Sequence, residues 1–306
     1  MTKVPVRFTI ILWSVLVVAA VAQALTEQQR APVPPNTPVI SAATEVQPAI
    51  GKDSVKFLVI GDSGTGDRAQ TETGAQMWKA HSVFPYEFAI MLGDNLYGSE
   101  RPQDFMTKFE RPYKPMLDAK VEFYAALGNH DDPNQRFYKN FGMGGQRFYT
   151  YQKKDVRFFA LDSNYMDKVQ QRWLEDQLSR SNAKWKIAYF HHPLYSSGAA
   201  HGSEVDLRAI VEPLFIKHNL HLVFAGHEHF YERIKPQKGI YHFTAGGSAK
   251  LRSGDILGNT GLTAKGFDSE QTFMLVEVDA DVLRYQTITR RGKRIDSGEI
   301  RLGPTS

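Results

Sequence analysis

The sequence predicts an α/β fold in which two packed, mixed β-sheets are flanked by helices, helix–sheet–sheet–helix in four layers. Three observations carry this expectation. Apolar runs of strand length alternate with amphipathic segments through the first two thirds of the chain. Strand-like runs joined by short turns then follow one another to the end. Five apolar runs stop directly at segments rich in oxygen and nitrogen ligands, as expected where strands deliver side chains to the carboxyl edge of a sheet.

Taken in order, the first strands are Val55 to Ile60, Phe88 to Leu92 and Tyr124 to Leu127, followed by Val156 to Leu161, Ile187 to Phe190 and Leu222 to Ala225. Between them, helices are expected over Arg68 to His81, Gln103 to Glu110, Lys168 to Ser179 and Glu204 to His218. The last carries Leu207, Ile210, Val211, Leu214 and Phe215 at helical spacing, a core-facing stripe. Beyond Gly226, strands are expected over Tyr231 to Ile234, Gly239 to Ala245, Gln271 to Val278, Val282 to Thr289 and Arg294 to Arg301, with turns at Asp279-Ala280 and Arg291-Gly292. This order suggests a first sheet that is partly parallel and a second that is largely antiparallel. Gly246 to Gly266, rich in Gly, Ser, Thr and Asn and carrying Lys250 and Arg252, reads as a long functional loop.

The ends of the chain set its organisation. Lys3 and Arg7 precede an apolar stretch from Phe8 to Ala22, and Ala22-Gln23-Ala24 offers a small-x-small cleavage site. Residues 1–24 are therefore read as an export signal, with the protein secreted or periplasmic. The stretch is short for a bilayer span, which needs about 20 apolar residues. Contact with a membrane is expected only if that segment stays uncleaved. Residues 25–53 hold Pro32, Pro34, Pro35, Pro38 and Pro48 without an apolar period and read as a disordered tether, which leaves residues 54–303 as one catalytic domain. The net charge is +4, two of it from Lys3 and Arg7, and no dense basic run exists, so no nucleic-acid partner is indicated. The chain has no cysteine, which excludes disulfides, thiolate metal sites and cysteine nucleophiles.

The chemistry lies in the five segments Gly61-Asp62-Ser63-Gly64, Gly93-Asp94-Asn95-Leu96-Tyr97, Gly128-Asn129-His130-Asp131, His191-His192-Pro193 and Gly226-His227-Glu228-His229. Asp62, Asp94, Asn129, His191, His227 and His229 are hard or borderline ligands suited to Fe, Zn or Mn. Two metals need more donors than one side chain each supplies unless a carboxylate bridges, and Asp94 is central in the set. Strand alternation lets only one of His191 and His192 face inward. Tyr97 is the distinctive member. A phenol with a reference pKa of about 10 ionises near neutrality only beside a strong Lewis acid, which points to Fe(III).

The ordered set Asp-x-Gly, Gly-Asp-x-x-Tyr, Gly-Asn-His-Asp, His-x-Pro, Gly-His-x-His resembles the purple acid phosphatases of the calcineurin-like metallophosphoesterase superfamily, in their small form. The resemblance covers the folded part of the chain and implies the four-layer metallophosphoesterase sandwich. It also implies a dinuclear centre of Fe(III) plus a divalent ion, Fe, Zn or Mn. One metal would be held by Asp62, Asp94, Tyr97 and His229, the other by Asp94, Asn129, His191 and His227; the His-x-Pro spacing selects His191 over His192. His130 would face the substrate phosphate, and His201, in Ala200-His201-Gly202, resembles the family's substrate-contacting His. The wider superfamily carries His two positions after the first Asp; here that position is Gly64, and Tyr97 replaces it.

The expected function is an exported acid phosphatase that hydrolyses small phosphomonoesters by direct attack of a metal-bound hydroxide. The alternatives are a phosphodiesterase or nucleotidase on the same centre, or a non-catalytic metal- or phosphate-binding surface protein. Asp131 is expected to support its turn or orient His130, Asp162 to hold a strand end, and His81, His218, His221 and His242 to be ordinary.

Overall fold

The computed structural model describes residues 45–303. The expected export segment and residues 25–44 of the tether lie outside them. Two sheets form the centre. The first has the order β13-β12-β11-β1-β2-β3 and the second β10-β8-β9-β7-β6-β5-β4. The strands of the first are β1 (Val55–Ile60), β2 (Phe88–Met91), β3 (Glu122–Ala125), β11 (Thr272–Asp279), β12 (Val282–Thr289) and β13 (Arg294–Arg301). Those of the second are β4 (Tyr149–Lys153), β5 (Val156–Ala160), β6 (Trp185–Phe190), β7 (Leu222–Ala225), β8 (Tyr231–Ile234), β9 (Tyr241–Ala245) and β10 (Thr263–Phe267).

Alternation along each strand divides the core into layers. Phe57, Val59, Phe88 and Ile90 face the other sheet and meet Phe158, Ile187, Tyr189 and Phe224. Phe57 stacks on Phe88 with ring centroids 5.3 Å apart and meets Phe158 edge-on at 5.3 Å. Their neighbours Leu58, Ile60, Ala89 and Met91 face outward onto Met77 and Ala80 of helix α1 (Arg68–His81). On the second sheet, Ala188, Phe190 and Val223 face Leu174 and Leu178 of α2 (Lys168–Ser179) and Val211 and Phe215 of α3 (Val205–Lys217). Strands covered on both sides need continuous apolar runs, which is how β2 and β7 read and, Lys56 apart, β1. Asp67 and Asp167 cap α1 and α2 by accepting the Gln70 and Gln170 N–H groups at 2.9 and 2.8 Å.

Several expectations are corrected. The sheets are not divided into a partly parallel and a largely antiparallel one. β1, β2 and β3 are parallel, but the late meander β11–β13 joins the free edge of β1, antiparallel to it. In the second sheet β5, β6, β7 and β9 are parallel, β4 and β8 run against them, and β10 pairs antiparallel with β8 at the edge. The expected helix Gln103 to Glu110 is an α-turn, Pro102–Phe105, running into a wider π-turn, Met106–Glu110. The Gly246 to Gly266 loop ends in β10 rather than remaining irregular throughout.

The folded part also starts before residue 54. Val46 is buried, and Glu45 N–H donates to the Gly292 carbonyl at 2.8 Å. Gln47 exchanges two hydrogen bonds with the Gln286 side chain, and the N–H groups of Ile50 and Gly51 donate to Glu277 at 3.0 and 2.7 Å. These partners are side chains of β11 and β12, so residues 45–53 are docked without any apolar period of their own.

Candidate metal centre

Five strand ends deliver side chains to one place. Asp62 follows β1, Asp94 follows β2, Asn129 follows β3, His191 follows β6 and His227 follows β7, three from the first sheet and two from the second. Asp62, Asp94 and His227 adopt left-handed backbone conformations, with φ of 54°, 51° and 69°. Asp, Asn and His enter that region more readily than other non-glycine residues. Forming the turn and offering a ligand therefore make the same demand on these positions.

The loop that carries Tyr97 closes over Gly64. A Cβ there would lie 1.8 Å from the Asn95 carbonyl oxygen, so the position that the wider superfamily fills with His admits no side chain. Tyr97 N–H donates to the Gly64 carbonyl at 2.9 Å. From the π-turn, Lys108 Nζ donates to the carbonyls of Tyr97 and Ser99 at 2.7 and 2.8 Å, clamping the loop from outside.

The side chains converge in two groups. In the first, Tyr97 Oη lies 3.1 Å from Asp62 Oδ1 and 3.2 Å from His229 Nε2, and these two are 3.5 Å apart. In the second, His191 Nε2 lies 2.8 Å from Asn129 Oδ1, 3.1 Å from His227 Nδ1 and 3.5 Å from Asp94 Oδ1. Asp94 also brings a carboxylate oxygen within 4.8 Å of ligand atoms of Asp62 and His229, which joins the groups. Donors bound about 2.0–2.2 Å from one metal stand roughly 3 Å from each other, and these separations match.

The donor chemistry fits cations. His191 Nδ1 donates to the Leu92 carbonyl at 2.9 Å, which turns the Nε2 lone pair toward Asn129 Oδ1. Two acceptors so close repel unless a cation shares them. Burial, and then the Asp94 charge, pushes the Asp62 carboxyl well above the usual carboxylate range. Burial, and then the neighbouring imidazoles, pushes His227 down to about 2. Burial, and then Arg252, pushes His229 down to about 4. Burial and the charges of Asp62 and Asp94 hold the Tyr97 phenol far above its ordinary value. His227 and His229 are thus neutral and ready to ligate, while Asp62 and the Tyr97 phenol need positive charge nearby to ionise.

His130 is exposed beside this cluster; its N–H donates to Asp94 Oδ1 at 3.0 Å and its ring stands 5.1 Å from that of Tyr97. His201 lies over the His227 ring at 4.1 Å. His192 Nδ1 pairs with Ser163 Oγ at 2.8 Å, yet His192 also brings a nitrogen within 4.8 Å of His191 and His227 ligand atoms. Lys250 Nζ sits 4.6 Å above the Tyr97 ring, and Arg252 N–H donates to the His229 carbonyl at 2.9 Å, so the Gly246 to Gly266 segment borders the cluster. Asp131 supports its turn, accepting from Gly128 N–H, Leu96 N–H, Asn95 Nδ2 and Gln135 Nε2. Asp162 pairs with Arg147 at 2.6 Å at its strand end.

Sequence reasoning passed over Glu228, which stands between His227 and His229. Its side chain is fully buried; Oε1 accepts the Gly202 N–H at 2.6 Å, and Oε2 lies 3.5 Å from His201 Nδ1 and 3.6 Å from Arg252 Nη1. A Cβ at Gly198 would fall 2.1 Å from Oε1. The Ala199 N–H bond to the Asp255 carbonyl and the Leu257 N–H bond to the Ser197 carbonyl, both 2.8 Å, zip the flanking loops together above this carboxyl group. Its place between His227 and His229 leaves no signal of its own in the sequence.

Comparison with known proteins gives a consistent picture. Residues 55–231 match the model of the calcineurin-like phosphoesterase family. The chain is 26% identical over 249 residues to purple acid phosphatase 17 of Arabidopsis thaliana, covering 69% of this chain and 73% of that protein. Among solved structures it is similar in fold to a purple acid phosphatase from yellow lupin (Lupinus luteus) seeds, with a TM-score of 0.67 and 20% identity, over 81% of this chain and 54% of that one. It is similar as well to GAP50, described as the anchor in the inner membrane complex of Plasmodium, with a TM-score of 0.72 and 20% identity, over 82% of this chain and 90% of that one.

Proposed function

The chain belongs to the calcineurin-like phosphoesterase family, and from that premise we propose an acid phosphatase that hydrolyses small phosphoric monoesters at a dinuclear metal centre. The observation that carries the reading is the pair of converging donor groups, Asp62–Tyr97–His229 and Asn129–His191–His227, joined through Asp94. Fold likeness alone would not suffice, since one fold serves several functions. In this reading Asp62, Asp94, Tyr97 and His229 hold Fe(III), and Asp94, Asn129, His191 and His227 hold a divalent ion, Fe, Zn or Mn. Bound there, such a pair polarises a phosphate oxygen and lowers the pKa of water toward neutrality, the source of the nucleophile.

The remaining work falls to the chain's own residues. Lys250 and Arg252 lend positive charge to the approach of a phosphate dianion. His130, exposed beside Asp94, binds a non-bridging phosphate oxygen. His201, stacked on His227 and held near the buried Glu228 carboxyl, gives a proton to the departing alcohol oxygen. His201→Ala should then slow esters with poor leaving groups by about 10²–10⁴-fold and esters with good leaving groups much less. Kinetics on alkyl and nitrophenyl monoesters check this, and equal losses on both would leave His201 only a phosphate contact. A nitrophenyl diester in the same assay separates the readings: faster turnover of the diester would replace the monoesterase by a phosphodiesterase.

Export belongs to the same proposal, on the strength of Lys3, Arg7, the apolar stretch to Ala22 and the Ala22-Gln23-Ala24 site. Among the described residues no helix is long and apolar enough to cross a membrane. N-terminal sequencing of protein recovered outside the cytoplasm should begin near Leu25; recovery of Met1 would remove the cleavage.

A further inference from the structure

A cavity of about 440 Å³ opens against the second donor group, lined in part by Asn129 and His192. Its walls come from the segments after β3, β5 and β6 and from the start of α3. Lys250 and Arg252, by contrast, stand against the first donor group, beside Tyr97 and His229. The charge around the centre is therefore uneven. No lysine or arginine lines the cavity, but three carboxyl groups do, Asp131, Asp162 and Glu204.

Two of the three are already engaged. Asp131 accepts the four hydrogen bonds that hold its turn, and Asp162 is bonded to Arg147. Glu204 is different. It occupies the N-cap position of α3, yet its side chain makes no capping bond, and among the described residues no cation pairs with it. The ring of Tyr165, 60% exposed, lines the same cavity, with Arg147 5.8 Å from its centroid. A free carboxylate and a largely exposed aromatic ring are two groups that recognise an ammonium ion.

We propose that this cavity receives the alcohol portion of the ester and selects alcohols that carry an amino or ammonium group. The inference rests on the phosphatase reading above. With the phosphate drawn to the centre and its flanking cations, a positively charged alcohol meets Glu204 and Tyr165. A negatively charged one meets an unneutralised carboxylate, and the neighbouring cation, Arg147, is already bound to Asp162 and Asp167. Phosphorylated acids and nucleoside polyphosphates are thereby disfavoured.

The test compares three monoesters of similar size on the full chain supplied with metal, at one pH and ionic strength: O-phosphorylethanolamine, phosphorylated ethylene glycol and phosphoglycolate. The expected order of kcat/KM is amine, neutral, acid, with an amine-to-acid ratio of about tenfold or more. Glu204→Gln keeps the size and removes the charge, and should shrink that ratio by about three- to tenfold. Tyr165→Ala should lower the amine-to-neutral ratio. A wild-type amine-to-acid ratio near one, or a ratio that Glu204→Gln does not move, overturns the subsite, while hydrolysis of the neutral ester leaves the phosphatase reading standing. If none of the three is hydrolysed, the phosphatase reading falls and calorimetric binding decides the subsite. Equal affinities would then overturn it, and an amine preference lost in Glu204→Gln would uphold it.

Discussion

Asp94→Asn is expected to reduce phosphomonoester hydrolysis by about 10³-fold, equivalent to about 4 kcal/mol, because it weakens the one side chain shared by both donor groups. The substitution is chosen to spare the fold. Asn tolerates the left-handed backbone at this position, where φ is 51°, as well as Asp does. Its amide oxygen can still accept the His130 N–H that Asp94 Oδ1 now receives at 3.0 Å. What disappears is the negative charge, so metal content should fall below the wild-type value while the circular dichroism spectrum is retained. Activity within tenfold of wild type at unchanged metal content would show that Asp94 does not bridge.

Tyr97→Phe is expected to abolish a visible charge-transfer band while the chain stays folded. The ring packs beside His130 and under Lys250, and Phe can occupy the same space. Only the oxygen that stands 3.1 Å from Asp62 Oδ1 and 3.2 Å from His229 Nε2 is lost. Burial and the charges of Asp62 and Asp94 keep this phenol protonated in the protein's own field. Its ionisation therefore reports a strong Lewis acid directly. The absorption spectrum of wild type and variant, each with iron measured on the same sample, checks this. A full complement of Fe(III) without a band in wild type, or a band that survives Tyr97→Phe, would remove Tyr97 from the ligands.

Three of the converging positions stand out in the sequence because each meets two requirements at once. Asp62, Asp94 and His227 must turn the chain left-handed at a strand end, and few residue types both do that and bind metal. Helices α1 and α2 were equally legible, since Asp67 and Asp167 announce where they begin. Other features left weaker traces. Residues 45–53 are docked by the side chains of Gln286 and Glu277, long-range bonds that leave no local periodicity. Lys114–Asp118 forms a helix too short to show a period, and β10, Thr-Ala-Lys-Gly-Phe, carries a glycine and a register shift. The placing of β11–β13 beside β1 is a choice of partner that strand patterns do not encode. Glu228 was hidden by its own position, because a residue between two candidate ligands reads as pointing away from them. It does, and its carboxyl group holds the His201 loop from behind.

In the proposed reading one centre of two metal ions, which Asp94 would join, performs the hydrolysis. Metal stoichiometry and turnover of a nitrophenyl monoester, measured together while stripped wild-type protein is refilled, decide between one ion and two. Turnover should appear only as the second ion binds and reach its plateau at two ions per chain, with Asp94→Asn failing to recover along the same titration. Full turnover at one ion per chain, or in thoroughly stripped protein, would contradict it.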